Sequence, residues 1–251
     1  MKTLKILLHI LFVIPLCLLI IISSKRQQEK MIQFWCKRLL SIFEIKVEVL
    51  GLDRFLSNQK QYLMVANHIS WIDIIVIQSI KPSIFVAKSD VASWPLFGWV
   101  AQMTGTIFIK RDKVSDIKKA LKKMKRRLMK RSVCIFPEGT STNGRYLLPF
   151  KSNLFQASID TNKSILPLCL RYKQKSVYSD KVAFVGDMSL VDSIMKIKNE
   201  NDISVEVDVL QPIRPRGNRK ELAVYIQEII HKKFITEFVI KISQLNITLI
   251  A

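Results

Sequence analysis

The heptapeptide NHISWID, residues 67–73, sets a histidine and an aspartate five positions apart, directly after the apolar run YLMVA. Imidazole has an ordinary pKa near 6.5, so it can take and release protons at neutral pH. A carboxylate held on one ring nitrogen fixes the tautomer and leaves the other nitrogen to deprotonate an attacking alcohol. Spacing alone is weak support. With three histidines in the chain, such a pair arises by chance in roughly one chain in eight. Position is the stronger argument. A strand ending at Ala66 would expose His68 at a sheet edge, where α/β proteins hold ligands. A helix starting near Ser70 would put Asp73 in its first turn, within reach of the ring, and Asn67 would steady the turn. The competing reading is an ordinary imidazole at a strand end.

A second constellation is FPEGTSTNGRYLLPFK, residues 136–151. A strand runs into Pro137 and Glu138, then into a polar turn. Backbone N–H groups and hydroxyls at Gly139, Thr140, Ser141 and Thr142 suit an anionic or polyol headgroup. Glu138 is unexpected beside an anion; its uses would be to accept from a hydroxyl or to organise the loop. Against this stands a plain hairpin turn. Other chemistries lack their signatures. The seven glycines form no G-x-G-x-x-G and no G-K-[ST] phosphate loop, and no G-x-S-x-G elbow is present. No cluster of ligand residues calls for a metal. His231 borders an apolar helical stripe and reads as structural or solvent-facing.

The elements that must position these residues are legible as periodicity. Strands are expected at 46–50, 62–66, 83–87, 106–110, 133–136, 165–170 and 204–209, with VAFVG (182–186) as an eighth. Helices are expected at 31–44, 72–80, 113–131 and 153–160. A last one is opened by the capping pair Asn218 and Glu221, with Leu222, Tyr225, Ile226, Ile229 and Ile230 as its apolar face. This alternation indicates a single α/β domain, its sheet flanked by helices, over residues 45–251. In the 113–131 helix, Val114, Ile117, Leu121, Met124 and Leu128 share one stripe. The remaining surface is nearly all lysine and arginine, as on a solvated face or one opposing anionic headgroups or an acidic carrier. A nucleic-acid platform would need interleaved aromatics, which are missing.

The formal net charge of +20 requires anionic company: nucleic acid, a membrane surface or phosphate-bearing substrates. The first 44 residues favour the membrane. Ile6–Ile22 is apolar except for His9 and Pro15, near the lower limit for a bilayer span. A signal peptide would need a small-x-small cleavage site, whereas SSKRQQEK follows. Lys25, Arg26, Lys30, Lys37 and Arg38 outweigh Lys2 and Lys5 across the run, which orients the rest toward the cytoplasm, as at a bacterial inner membrane. The helix would either span or lie in one leaflet. Four scattered cysteines fit reduced, buried thiols in a cytosolic body.

NHISWID and FPEGT together resemble the glycerolipid acyltransferase family, which carries N-H-x4-D and F-P-E-G-T blocks in this order. A fixed pentapeptide arises by chance in about one chain in ten thousand, so the pair is specific. GTIFIKRD resembles a further family block through Gly105, Phe108, Ile109 and Arg111, and ILPLCL resembles another through Pro167. AKSDVASWPLFGWVA resembles the intervening segment through Lys88, Trp94, Pro95 and Gly98. The likeness spans residues 45–210.

It implies a mixed sheet flanked by helices and an O-acyltransferase that uses acyl-CoA or acyl-carrier-protein, without a further cofactor. His68 would be the base, oriented by Asp73. Lys110 and Arg111 would hold the acceptor phosphate, Glu138, Gly139 and Thr140 would line the acceptor site, and an apolar channel would take the acyl chain. The implied acceptor is the lysophospholipid 1-acyl-sn-glycerol-3-phosphate, drawn from the membrane, and no nucleic acid is expected. One departure stands out. Many phosphatidic-acid-forming members have arginine directly after EGT, where this chain has Ser141, and the loss of a bidentate phosphate partner is not conservative. Either Arg111 and Arg145 suffice, or the acceptor is another lysolipid such as lyso-ornithine lipid. From a different class, a non-catalytic basic protein binding membrane or nucleic acid would be indifferent to loss of His68.

Overall fold

The computed structural model describes residues 2–110 and 114–248, without the side chains of Val114 and of residues 236–248. In chain order, α1 (Lys2–Leu11), α2 (Val13–Ile22) and α3 (Lys25–Phe43) lead into β1 (Ile45–Gly51), α4 (Arg54–Ser57) and β2 (Leu63–Ala66). Next come α5 (Ile72–Ile80), β3 (Ile84–Lys88), α6 (Phe97–Met103), β4 (Ile107–Ile109), α7 (Val114–Leu128) and β5 (Val133–Ile135). The chain continues through α8 (Gln156–Thr161), β6 (Ile165–Gln174), β7 (Val177–Tyr178), α9 (Leu190–Lys198), β8 (Ile203–Val209) and α10 (Arg219–Thr248). Seven expected strands are present. The eighth, VAFVG, is a loop instead. Ala183 N–H turns back to the Asp180 carbonyl (3.0 Å) and Phe184 N–H reaches the Ile69 carbonyl (3.0 Å), so no neighbouring strand claims them.

The sheet order is β1-β8-β6-β2-β5-β3-β4, with β7 antiparallel to β6. From β6 to β4 the strands are parallel, whereas β8 is antiparallel to β6 and parallel to β1. The sheet is therefore mixed. Its centre is covered on both faces, which is why β2 reads as an unbroken apolar run. Side chains alternate across it: Met64 and Ala66 enter one core, Leu63 and Val65 the other.

On the first face α3 opens with a capping box between Ser24 and Gln27 and ends at Glu44 in the left-handed conformation. It buries Trp35, Leu39, Leu40 and Phe43, each worth roughly 1.5–3 kcal/mol for full burial of a large apolar group. Lys2–Ile22 is long and apolar enough to cross a membrane. Pro15 has no N–H for the Leu11 carbonyl, and the regular helix is interrupted at Phe12. This helix does not stand free. Ile6, Val13, Leu16, Cys17 and Ile20 are buried against the domain. His9 stacks on Trp35, donates from Nε2 to its carbonyl (2.9 Å), and accepts from its indole N–H at the His9 carbonyl (3.1 Å). One apolar core thus runs from α1 to the sheet. The opposite side of the helix exposes Leu4, Leu7, Leu8, Leu11, Leu18 and Leu19.

On the second face α7 buries Ala120, Met124 and Leu128 with Ile117 and Leu121 partly covered, and turns Lys118, Lys119, Lys122, Lys123, Arg126 and Arg127 to solvent. Asn218 Oδ1 accepts the N–H groups of Lys220 and Glu221 (2.8 and 3.1 Å), the expected cap of α10. That helix buries Leu222, Ala223, Ile226, Ile230 and Phe234. Tyr225, expected on the apolar face, is exposed, because Ala223 and Phe234 complete the inward stripe instead. His231 is exposed. Arg171 on β6 joins Asp208 and Glu206 of β8 and donates to the Lys233 carbonyl (3.2 Å), pinning α10 to the sheet. All four cysteines are buried free thiols.

Candidate active site

The parallel strands β2, β4 and β5 end at one edge of the sheet, so the three motif loops emerge side by side. Asn67 extends the β2–β6 ladder with its side chain: Nδ2 donates to the Leu170 carbonyl (3.0 Å) and Oδ1 accepts Leu170 N–H (2.8 Å). His68 then leaves the sheet at a fixed angle. Asp73, in the first turn of α5, is completely buried. Its Oδ2 accepts from His68 Nδ1 (2.8 Å), Ile69 N–H (2.7 Å) and Ser70 N–H (2.9 Å), and its Oδ1 accepts from the Tyr172 hydroxyl (2.7 Å).

Four donors on one carboxyl group match its ionised, acceptor-only form. The proton therefore sits on Nδ1, and Nε2 keeps its lone pair. Burial, then the Asp73 charge, holds the Tyr172 hydroxyl well above the usual tyrosine range, so it stays a donor. The Phe136 ring stacks on the imidazole with centroids 4.0 Å apart. His68 nonetheless keeps 20% of its side chain exposed, enough to meet a substrate.

Glu138 resolves the ambiguity it raised in the sequence. It is buried, with one carboxyl oxygen accepting His68 N–H (2.7 Å) and the other accepting Leu148 N–H (2.8 Å). Burial pushes its pKa up to about 7, against the pull of those two N–H groups. Thr142 N–H donates to the His68 carbonyl (2.9 Å). The main chain of His68 is thus gripped at both ends by a turn seventy residues away. Gly144 is required in that turn: its φ is +79°, and a Cβ there would lie 2.9 Å from Ile69 Cδ1.

The other expected site residues fall less tightly together. Gly139 adopts a φ of +82° and donates to the Phe136 carbonyl (3.1 Å), and Thr140 is exposed beside it. Ser141 spends its hydroxyl on the Phe184 carbonyl. Arg145 is exposed, 3.4 Å from Asp180 and over the Tyr178 ring. Lys110 is exposed just past the end of β4 at the same sheet edge, and Arg111 lies outside the described residues. Sequence reasoning misses Tyr172, Phe136 and Phe184. Tyr172 has a signal, since a tyrosine closing an apolar strand needs a partner for its hydroxyl. Phe136 lies in plain view within FPEGT, and Phe184 offers none.

An apolar cavity of about 140 Å³ is walled by residues including Val13, Leu16, Trp71, Phe85, Trp94 and Phe97. Phe85 packs on Phe136 (5.9 Å between centroids), which itself stacks on His68. A line of two aromatic rings, Phe85 and Phe136, therefore runs from the cavity wall to the base.

Residues 46–171 match the family model described as Acyltransferase. The lyso-ornithine lipid O-acyltransferase of Pseudomonas aeruginosa is 31% identical over 203 residues, covering 80% of this chain and 77% of that protein. The 1-acyl-sn-glycerol-3-phosphate acyltransferase of Neisseria gonorrhoeae is 34% identical over 147 residues, covering 58% of each. In fold, the 1-acyl-sn-glycerophosphate acyltransferase PlsC of Thermotoga maritima is similar with a TM-score of 0.67 at 19% identity, over 93% of this chain and 96% of that one. The His68 loop and the Glu138 turn both lie within the matched segment, and the chain belongs to the acyltransferase family, an enzyme of that class.

Proposed function

We propose that the protein transfers an acyl chain from acyl-CoA or acyl-carrier-protein to the free hydroxyl of a membrane lysolipid, with His68 as base and Asp73 as its orienting partner. The observation that carries this is the Asp73 carboxylate, which fixes the proton on Nδ1 and leaves Nε2 without a partner among the described residues. As the acceptor oxygen bonds to the thioester carbonyl carbon, its proton passes to Nε2. Collapse of the tetrahedral intermediate breaks the C–S bond, and the imidazolium returns the proton to the departing thiolate. No acyl-enzyme forms. Glu138 and Thr142 hold the loop that carries the base, and the apolar cavity accommodates an acyl chain.

For the acceptor we propose 1-acyl-sn-glycerol-3-phosphate, giving phosphatidic acid, with Lys110 and Arg111 toward the phosphate and Gly139 and Thr140 along the headgroup. Lyso-ornithine lipid is a second reading, favoured by one observation: Ser141 is turned away onto Phe184, so this position offers the acceptor no charge. The exposed leucines of α1 and α2 enter the cytoplasmic leaflet, the buried side of the same helix staying on the domain. Labelled acyl-CoA and acyl-carrier-protein, offered with each acceptor to solubilised protein, test this directly. Transfer that vanishes in His68→Ala supports the base, and the product names the acceptor. Undiminished transfer by that folded variant would sink the assignment.

A further inference from the structure

Val182–Leu190 takes no part in the proposed reaction, yet it meets the His68 loop, the turn after Glu138 and the cavity wall. Phe184 N–H donates to the carbonyl of Ile69, the residue after His68 (3.0 Å). The Phe184 carbonyl accepts the hydroxyl of Ser141, next to the residue that grips the His68 carbonyl. Its ring meets Trp94 edge-on, with centroids 6.0 Å apart and 72° between planes. Trp94 and Leu190 both line the apolar cavity. On one side of Phe184 the chain is anchored by the buried Val182 and Ala183; on the other, Val185 and Gly186 are exposed, with open space around the glycine.

Hydrogen bonds at its N–H and its carbonyl fix where the Phe184 main chain sits, and the edge-on contact with Trp94 seats its ring beside a residue of the cavity wall. We infer that Phe184 and Trp94 form the passage between the acyl-chain cavity and His68, with Ser141 holding Phe184 in place, and that this passage selects acyl chains by bulk. The inference rests on the reading that the cavity takes the acyl chain. Phe184 is a positioning and specificity residue here, and Ser141 acts through it.

The test uses the full-length protein in detergent. Steady-state kinetics compare straight saturated with cis-unsaturated or methyl-branched acyl donors. Phe184→Ala is expected to shift relative kcat/KM toward the bulkier chains by about tenfold, the order of discrimination an apolar pocket provides. Ser141→Ala should shift the ratio in the same direction by less, and Ser141→Thr, which keeps the hydroxyl, should restore the original profile. A second measurement needs no turnover. An acyl-CoA with a brominated chain, offered without acceptor, should quench tryptophan fluorescence, since Trp35, Trp71 and Trp94 line the cavity, and stopped-flow mixing should show faster entry in Phe184→Ala. Quenching without acyl transfer to any acceptor would sink the proposed function and leave the passage standing. A uniform loss of rate across all chains, equal entry rates, or no quenching of the wild type would overturn the passage.

Discussion

The two faces of the sheet are built alike inside and differently outside. Each buries an apolar layer: α1, α2, α3, α5, α6 and α9 on one side, α7, α8 and α10 on the other. The first layer then exposes a run of leucines and isoleucines along α1 and α2, whereas the second exposes the lysines and arginines of α7. Water alone would not favour a strip as apolar as the first. The proposed membrane contact would cover that strip, and the apolar cavity lies within the same layer. The active site lies at the sheet edge where the layers meet, its aromatic side toward the cavity and its polar turn beyond. On the proposed reaction, the comparison teaches how one fold would present an apolar reactant and a polar reactant to His68 from opposite sides.

The largest expected effect breaks the seam and neither layer. His68→Ala should reduce transfer by at least about a hundredfold, within the range of a lost general base, with circular dichroism and membrane sedimentation unchanged. Loss of folding would instead make the imidazole a structural group.

Glu138→Gln should lower activity by about tenfold or more, because an amide cannot accept both backbone N–H groups and a buried bond to a charged group is worth about 1.5–3 kcal/mol. Its pH signature is separable. The folded pKa is raised, to about 7 from 4.5, so the folded state binds the extra proton between those values. The stabilising contribution is complete below pH 4.5 and disappears as pH rises through about 7. Denaturant midpoints measured across that window should fall for wild type relative to Glu138→Gln; parallel curves would remove the titration from the argument.

Between the layers themselves, a charge on the exposed strip should matter more than one on the other face. Leu18→Glu with Leu7→Glu should release the protein from membrane pellets, since each leucine contributes roughly 1.5–3 kcal/mol when its apolar surface leaves water. Tyr225→Glu, on the exposed side of α10, should leave sedimentation unaltered. Equal behaviour of the two would erase the asymmetry. Smallest is the expected change for Lys118→Gln, Lys122→Gln and Arg126→Gln on one exposed stripe of α7: weaker binding to anionic vesicles at low salt, about 1 kcal/mol per charge, and little difference once salt screens them. Undiminished binding at low salt would leave those charges to an acidic carrier or to solvation.

Much of the fold and the His68–Asp73 contact are legible in the sequence. β2 and α5 are readable because a doubly buried strand is a continuous apolar run and α5 begins just after a polar turn, and that same junction carries His68 and Asp73. VAFVG misleads because its apolar pattern is satisfied by a clasp: Val182 and Ala183 enter the core while Phe184 bonds to Ile69. α6 escapes sequence reading because Pro95 and Gly98 resemble a turn. Gly98 is instead the residue that lets the helix approach the Ser89–Ser93 turn, where a Cβ would meet the Ala92 carbonyl at 2.3 Å.

The sequence by itself determined seven of the strands, most of the amphipathic stripes and the pairing of a histidine with an aspartate, because these depend on residue type and local period. Only the tertiary structure decided which groups complete the centre. Tyr172 reaches Asp73 across ninety-nine residues and Glu138 reaches His68 across seventy, and no local period encodes such distances. It also decided that Ser141 serves Phe184, and that the N-terminal helix is half core and half surface. These follow from loops converging at one sheet edge, where every buried polar atom must find a partner the chain brings from elsewhere.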